Sequence, residues 1–384
     1  MLQGAASSQR TEAARSGIGP HGSAAETSGI QGQAQASTGS TTRLGGADVA
    51  VDAAEIAQTL YPGLTPGTRP AAAVIVGVED WPGALAASAL AAAPLRAPII
   101  YSERGRLPPA SAAALAAIEP LGSTLIGGAQ LIVVGDAPAP PRYRALRLRA
   151  GSPYQLAAKI AALQARISSR PPRAAIIAGI GGPPALSMPA AGLAAESGSP
   201  ILLVEQNGLP SATAEAISSL HLQRAYLVGP AQAIDSHVAA QLRRHVAERR
   251  IGAPGPVANS IAVAAFSAGP FGWGVDEPGH GLVFALASRP FDAPAAAGLS
   301  SSAQFGPLLL LSGADRLPTP LRRYLRDIQP GYGSTPESTP VRGVYNRGWI
   351  IGGPRAISAG TQAELDELLR SVPTGNAATP SLLP

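Results

Sequence analysis

The segment Pro200-Ile201-Leu202-Leu203 occurs in three versions along this chain of 384 residues, and its recurrence indicates how the chain folds. Each version follows an alanine-rich stretch and precedes a Leu-Pro pair, and the opening prolines lie 102 and then 107 residues apart. The three versions are Pro98-Ile99-Ile100 with Leu107-Pro108, Pro200–Leu203 with Leu209-Pro210, and Pro307–Leu311 with Leu317-Pro318. Self-similarity at this period indicates three copies of one α/β unit rather than a solenoid of short repeats.

Apolar runs flank each of these segments at matching distances. The runs before them are Ala73–Gly77, Ala175–Gly179 and Leu282–Ala287, and the runs that close the copies are Leu131–Gly135, Ala225–Gly229 and Trp349–Gly353. Near-continuous apolar character is typical of parallel strands that are covered on both faces. Patterns with helical periodicity separate the runs. This order predicts right-handed strand–helix–strand crossovers and a small parallel sheet in each copy.

An arginine followed by an aliphatic residue marks the start of each copy, at Arg43-Leu44, Arg147-Leu148 and Arg250-Ile251. We therefore divide the chain into repeats at residues 41–146, 147–249 and 250–371. Residues 1–40 carry almost no aliphatic side chains, so we expect a disordered tail there. We also expect a flexible C-terminal tail over residues 372–384 and a polar insertion in the third repeat, at about residues 331–347.

The composition limits the classes of function. The chain has no cysteine, which excludes disulfides, thiolate metal ligands and cysteine nucleophiles. Lys159 is the only lysine, so 28 of the 29 basic residues are arginine. We attribute this excess, and the net charge of +5, to GC-rich coding rather than to a nucleic-acid partner. No apolar run is long enough for a membrane span, and the N-terminal residues show no apolar stretch typical of a signal peptide.

The repeated motifs resemble the type 2 cell-wall-binding repeat of Gram-positive surface proteins. That family carries, in order, Arg-aliphatic-x-Gly, Asp-Ala-Leu, Pro-Ile-Leu-Leu, Leu-Pro and a closing Gly-Gly before Val-Ser. Besides the Pro-Ile-Leu and Leu-Pro segments, the matching residues are Arg43–Gly46, Ala84-Leu85, Ala185-Leu186, Val228-Gly229, Arg250–Gly252, Phe291–Ala293 and Ile351–Ser358. The resemblance covers residues 41–371, and three consecutive copies are the arrangement typical of the family.

This resemblance implies a fold and a function. It implies three tandem Toprim-like or Rossmann-like α/β units with small parallel sheets, arranged with pseudo-threefold symmetry. It further implies a non-enzymatic, extracellular protein of the cell wall, attached non-covalently to an anionic wall polysaccharide in the grooves between units. Avidity would strengthen such attachment, because several weak sites engage one repetitive polymer.

Departures from the family pattern favour a second hypothesis. The family's Arg-Tyr is absent, and the second copy keeps only the tyrosine, Tyr154. The aspartate of Asp-Ala-Leu is replaced by Gly83 and Pro184 in the first two copies and survives only as Asp292. On this alternative the chain is a structural surface-layer or assembly scaffold subunit that has lost polymer recognition, and its partners are other copies of itself.

The first candidate polymer-binding residues are the arginines that open the copies, Arg43, Arg147 and Arg250. A planar guanidinium group pairs well with phosphate or uronate groups, once per repeat. The alternative is that each arginine forms a structural ion pair between units.

Further candidates lie near the predicted ends of strands. Arg104, Arg106 and Arg316 follow the Pro-Ile-Leu strands, and loops beyond the carboxyl ends of parallel strands form the binding crevice of open sheets. Their alternative is a solvated surface position. Trp81 is a candidate for stacking on a sugar ring or, alternatively, a plug in its loop. Asp292 is a candidate as well, although we prefer it as the N-terminal cap of its helix.

No motif of catalysis or metal binding is present in the sequence. Gly179–Gly182 follows a strand, but it lacks G-x-G-x-x-G spacing, and Pro183-Pro184 stand where phosphate-facing N–H groups are needed. Glycoside hydrolysis needs a pair of carboxyl groups, and the acidic residues Glu79-Asp80, Glu103 and Asp276-Glu277 are dispersed along the sequence with no sign of pairing. An enzyme acting on a sugar or nucleotide is therefore the third hypothesis. We expect no catalytic residue, no metal and no cofactor.

Overall fold

Short strands and helices alternate along the chain in this computed structural model, which describes residues 37–301, 306–333 and 345–374. The strands of these residues are β1 (Thr41–Leu44), β2 (Ala73–Gly77), β3 (Ile99–Ser102), β4 (Leu131–Val134), β5 (Ala145–Leu148), β6 (Ala174–Gly179), β7 (Ile201–Val204), β8 (Arg224–Val228), β9 (Ala247–Ile251), β10 (Gly281–Leu286), β11 (Leu308–Leu311), β12 (Gly331–Gly333), β13 (Arg347–Ile351) and β14 (Val372–Thr374). The helices are α1 (Val49–Leu60), α2 (Trp81–Ala87), α3 (Pro109–Ile118), α4 (Pro153–Ile167), α5 (Pro189–Ser197), α6 (Ser211–Ser219), α7 (Ser236–Leu242), α8 (Pro256–Ala265), α9 (Asp292–Ser300), α10 (Thr319–Asp327) and α11 (Ala359–Leu369).

Parallel sheets of four strands carry the fold and occur three times in the described residues. Sheet 1 has the order β3-β2-β4-β5, sheet 2 the order β7-β6-β8-β9, and sheet 3 the order β11-β10-β13-β1. In each, the Pro-Ile-Leu strand lies at one edge, two buried strands follow, and the strand with the recurrent arginine lies at the other edge. The predicted α/β class with small parallel sheets is confirmed.

The first described strand belongs to the last sheet. β1 pairs with β13, so that Thr41 lies beside Gly348 and Leu44 beside Ile351. β5 and β9 likewise complete sheets whose other strands precede them in the chain. Each Arg-aliphatic pair therefore ends one sheet, although the sequence motif places it at the start of the next copy. Through β1, the beginning and the end of the described chain meet in one sheet.

Proline and polar side chains start the helices. Pro108, Pro210 and Pro318, the prolines of the three Leu-Pro pairs, are the N-cap residues of α3, α6 and α10. The side chain of Asp48 caps α1 by accepting hydrogen bonds from two backbone amides, each at 3.0 Å. Such partners matter because the first N–H groups of a helix have none within it.

Alternate residues of the central strands face two different cores. In β2, Val74 and Val76 belong to a large apolar cluster that draws side chains from all three repeats. Ala73 and Ile75 belong instead to a cluster confined to the first repeat. β6 and β10 divide in the same way between the shared cluster and clusters of the second and third repeats. Each sheet is thus covered on both faces, one face toward a common interior.

Helices rich in alanine fill this shared core. α2 with the adjoining 3₁₀ turn Ser88–Ala91, α5 and α9 pack against one another. Their small residues allow a close approach, since a Cβ atom added at Gly192 of α5 would lie 2.7 Å from Oγ of Ser300 on α9. The alanine-rich stretches that precede the Pro-Ile-Leu strands therefore pack at the centre of the molecule.

The predicted N-terminal tail, residues 1–40, lies outside the described residues except for Ser37–Ser40. Within that short stretch, the Thr38 hydroxyl and the Ser40 backbone N–H donate to the carboxylate of Asp366 on α11, at 2.5 and 2.9 Å. These contacts hold the approach to β1 against the last helix of the chain.

Two other expectations concern the third repeat. Most of the predicted polar insertion at residues 331–347 lies outside the described residues. Its start forms β12, which pairs in parallel with β14, and β14 in turn contains the first residues of the predicted C-terminal tail. Among the described residues, no helix has the length and apolar character needed to cross a membrane.

Candidate functional site

The recurrent arginine of the first repeat is buried and binds backbone carbonyl groups. Arg43 is 9% exposed, and its two Nη atoms donate to the carbonyl oxygens of Gly352 and Ile357, both at 2.7 Å. Its Nε and Nη2 also donate to Oε1 of Gln362, at 3.2 and 2.8 Å. Burial lowers the pKa of Arg43. The Arg43 side chain thus holds β1 against the loop after β13. Its role among the described residues is neither the predicted ion pair nor an exposed contact for a ligand.

The other two recurrent arginines repeat this contact to different degrees. Arg250 donates to the carbonyl oxygens of Gly229 and Ile234, at 2.9 and 2.7 Å, and burial lowers its pKa. Arg147 is exposed and donates to one carbonyl in the described residues, that of Ala137, at 3.2 Å. Of the three, Arg147 has the most guanidinium surface left for a ligand.

A cavity of about 510 Å³ lies at the carboxyl ends of the strands of sheet 1. Asp80 lines it and accepts a hydrogen bond from the Gly83 amide at 2.8 Å, as the cap of α2. The pKa of Asp80 is raised, mainly by burial and further by Glu79 and Asp136, against the opposing effect of that hydrogen bond. Arg149 contacts Asp136 at 3.2 Å. This crevice is acidic, which makes it unsuitable by itself for a polyanion.

The corresponding position in sheet 3 is closed by a cluster of ionisable side chains. Arg289 pairs with Asp52 and, through Nε at 2.8 Å, with Asp292. Both carboxyl side chains are fully buried, and Asp52 also accepts a hydrogen bond from the Gly46 amide at 2.7 Å. Burial first, and then the charge of Asp292, raises the pKa of Asp52 to about 8. Burial likewise raises the pKa of Asp292.

This cluster corrects the role that we preferred for Asp292. The residue is the first of α9, and its side chain makes no capping hydrogen bond to that helix. Its oxygens bind Arg289 instead. No sequence signal predicts this contact, because Asp52 and Arg289 belong to different repeats and no motif links them.

Trp81 lies in the seam between the first and third repeats. Its ring meets the ring of Phe291 edge to face, with centroids 5.9 Å apart, and the side chain is half-buried. Tyr101 secures the same seam by donating its hydroxyl to the Phe291 carbonyl at 2.5 Å. The indole N–H of Trp81 is buried and finds no hydrogen-bond partner in the described residues. These contacts fit a plug between repeats better than an open platform for a sugar.

The loop arginines lie where the sequence placed them, after the strands of the Pro-Ile-Leu segments. Arg104 and Arg106 follow β3, Arg316 follows β11, and all three are exposed. Arg104 lies 3.8 Å from the carboxylate of Glu103, with 85% of its side chain exposed. The structure does not gather these arginines with the recurrent ones into one site.

Sequence reasoning missed a groove at the amino ends of the sheet 2 strands. Two adjoining cavities, of about 920 and 600 Å³, share Arg173 and Phe271 in their linings. Arg170 lines the larger cavity, whereas Arg224 and Arg249 line the smaller one. We call these cavities together the basic groove. In the sequence, only the closely spaced Arg170 and Arg173 hint at it.

Within the parts of the chain that the structure describes, no group of three or more histidine, aspartate or glutamate side chains is placed to hold a metal ion.

Comparisons with known proteins bear on the same regions. The solved structures that are similar include Cwp6 from Clostridium difficile, with a TM-score of 0.67 and 17% identity over 87% of this chain and 49% of that one. Cwp8 from Clostridium difficile is also similar, with a TM-score of 0.64 and 17% identity over 86% of this chain and 51% of that one. This chain thus spans about half the length of either protein. At such identities the likeness concerns the fold alone.

Family comparison is more specific than these structural likenesses. A search of curated proteins gave no match. The model of the family described as cell wall binding domain 2 (CWB2) matches residues 43–135 and 147–239, which contain most of the first two repeats. Over these two segments, the chain belongs to the cell wall binding domain 2 family.

Proposed function

We propose that this protein attaches non-covalently to an anionic polysaccharide of the cell wall and acts there as an extracellular surface protein without enzymatic activity. The observation that carries the proposal is the match of two segments to a cell wall binding family. The exposed arginines Arg104, Arg106, Arg147 and Arg316 support the anionic character of the ligand, because guanidinium groups pair with phosphate and carboxylate.

The proposal includes three tandem units of Toprim-like or Rossmann-like type, at residues 41–146, 147–249 and 250–371, related by pseudo-threefold symmetry. The common strand order of the three sheets supports it. The third unit lies outside the matched segments, but its Pro-Ile-Leu strand, β11, holds the same edge position as β3 and β7. A shared core supports joint action of the units as one binding module.

We further propose that the polymer binds in the grooves between units. A repetitive polymer touching several weak sites at once is held by avidity. Arg43, Arg250 and Asp292 act indirectly in this proposal. Their side chains hydrogen-bond other groups of the protein and so hold the units in place. Arg147 and the loop arginines Arg104, Arg106 and Arg316 are exposed and remain the proposed polymer contacts, whereas Trp81 supports the seam between units.

Sedimentation with purified cell walls tests the proposal. We expect the full chain to sediment with walls that keep their anionic polymers, and to stay in solution after those polymers are extracted. Rising salt should release it, because exposed charges are screened over about 8–10 Å at 0.1–0.15 M ionic strength. A failure to sediment at low salt would exclude attachment of this kind.

The alternative, a scaffold subunit that assembles with its own copies, has one specific observation in its favour. Leu64, Leu121 and Leu125 of the first repeat are large apolar residues with at least 46% of their surface exposed. Large exposed apolar side chains are a feature of association surfaces, and in this alternative we propose that these leucines contribute to one. Electron microscopy of the concentrated protein tests this function, since a scaffold forms ordered arrays and a simple wall anchor does not.

A further inference from the structure

We propose that the basic groove binds one linear acidic glycan, through phosphate or carboxylate groups spaced along it. The inference rests on the proposed function and deepens it. It assigns the main polymer contact to the amino ends of the sheet 2 strands. The loop arginines predicted from the sequence lie instead at the carboxyl ends of strands.

The groove consists of two adjoining cavities and lies where the three repeats meet. The larger cavity is lined by Ala92–Pro94 of the first repeat, Ser168–Ala174 and Glu196–Ser199 of the second, and Pro270-Phe271 of the third. The smaller cavity continues from Arg173 along the starts of β6 and β8 and over β9. Two adjoining cavities accommodate several sugar units of one chain, whereas a small ligand needs only one.

The charge of the groove is strongly positive. Arg170, Arg173, Arg224 and Arg249 are exposed, and among the described residues no acidic side chain lies within ion-pair distance of any of them. Glu196 is the one acidic residue in the described lining, and burial raises its pKa. The hydrogen-bond donors of these four guanidinium groups are therefore available to the anionic groups of a bound ligand.

Aromatic packing holds in place the side of the groove that contains Phe271. Phe271 stacks on Tyr226 of β8, with ring centroids 3.7 Å apart. Two backbone hydrogen bonds between Ala268 and Phe271, at 2.8 and 3.3 Å, close the turn that carries this ring. The guanidinium of Arg249 lies 4.7 Å from the ring centroid of Phe266. A wall fixed in this way lowers the entropy cost of binding.

The same packing favours a glycan over a nucleic acid. Single-stranded nucleic acids bind proteins largely by stacking bases on exposed aromatic rings. In the groove, Tyr226 and Phe271 are buried against each other, with 3% and 7% of their surface exposed. The remaining lining includes Pro171, Pro172 and Pro270, whose saturated rings offer no π face on which a base could stack.

The groove is specific to sheet 2. By strand register, the positions of Arg173, Arg224 and Arg249 correspond to Ala71, Gln130 and Leu146 in sheet 1 and to His280, Arg347 and Thr42 in sheet 3. Neither of the other sheets repeats the set of arginines. We therefore expect one such site per chain, not three.

Calorimetric titration of the full chain with phosphorylated dextran, polygalacturonate and unmodified dextran tests the inference. We expect one of the two acidic glycans, or both, to bind at one site per chain and unmodified dextran not to bind. The double variant R173Q/R224Q should bind about tenfold more weakly or worse, because each arginine supplies charged hydrogen bonds. A matched control, R323Q/R326Q on the exposed side of α10, removes the same charge outside the groove and should keep wild-type affinity.

The outcomes separate the two proposals. Wild-type affinity in R173Q/R224Q, equal weakening in R323Q/R326Q, or binding of neither acidic glycan would overturn the assignment of the groove. Tighter binding of a single-stranded oligonucleotide than of both glycans would also overturn it. The proposed function fails separately, if the wild-type protein does not sediment with walls. A variant that sediments like wild type would leave wall attachment standing and refute the groove alone.

Discussion

Arg43 and Arg147 occupy the same position of the repeated motif but differ in what their guanidinium groups bind. Arg43 makes four buried hydrogen bonds, two of them to backbone carbonyls, whereas Arg147 is exposed and makes one. We expect Arg43→Gln to lower the free energy of unfolding by about 2–4 kcal/mol, because buried carbonyls lose charged partners. Arg147→Gln should cost less than about 0.5 kcal/mol. Urea denaturation of both variants measures the difference, and equal losses would show that position in the motif, rather than burial, sets the role.

Asp52 and Asp292 place two buried carboxyl groups around the single guanidinium of Arg289. The pKa of Asp52 is about 8 in the folded protein, against 3.8 for an aspartate in the unfolded chain. Between these values the folded protein holds one more proton than the unfolded chain. The free energy of unfolding therefore falls as pH rises through this window, by up to about 1.4 kcal/mol per pH unit.

The variant Asp52→Asn tests this dependence. An asparagine keeps the size and an acceptor for the Gly46 amide but does not titrate. We expect its melting temperature to change less than that of the wild type between pH 5 and 8, and to equal or exceed the wild-type value at pH 8. Asp48→Asn, at the exposed cap of the same helix, serves as the control and should keep the wild-type dependence. Parallel pH profiles of the wild type and Asp52→Asn would refute the buried proton.

Among the elements, β1 has the least expected position, because it completes a sheet formed by the last part of the chain. Thr38, just before β1, hydrogen-bonds Asp366 of α11. Since the chain has no cysteine, the double variant Thr38→Cys/Asp366→Cys offers a single pair of thiols. We expect a short bismaleimide to join them in the folded protein and not in urea, as a mobility shift on a denaturing gel.

A control pair for this crosslink is Thr38→Cys/Glu364→Cys. Glu364 lies on the same helix but pairs with Arg322 of α10, so its side chain is directed elsewhere. We expect far less crosslinking in this pair. Similar yields from the two pairs, or a yield that urea does not change, would contradict the pairing of β1 with sheet 3.

Local signals in the sequence predict the strands and helices, whereas they do not predict contacts between distant segments. The Pro-Ile-Leu strands and the Leu-Pro helix starts are predictable because apolar periodicity and proline act within a few residues. The place of β1 depends on a pairing with residues 347–351, which no local pattern encodes. The basic groove is likewise assembled from segments of three repeats, so its arginines carry no common motif.

At the scale of the whole molecule, the shared core links the three repeats into one structure. In β6, Ile176 faces the core common to all repeats, and its neighbour Ile177 faces the local core of the second repeat. Because every sheet contributes one face to the common core, loss of any one sheet exposes apolar surface of the other two. Partial unfolding of a single repeat is therefore costly, and we expect all three to unfold together.

The placement of tryptophan makes this cooperativity measurable. The three tryptophans are Trp81, Trp273 and Trp349, so the second repeat contains none. We expect Ile177→Ala, in the local core of that repeat, to lower the free energy of unfolding by about 2–4 kcal/mol through the cavity it leaves. If the repeats unfold as one, tryptophan fluorescence in the first and third repeats must report the same shift in urea midpoint as circular dichroism. A fluorescence midpoint that stays at its wild-type value while the dichroism midpoint falls would show that the second repeat unfolds on its own, and that the common core does not couple the sheets.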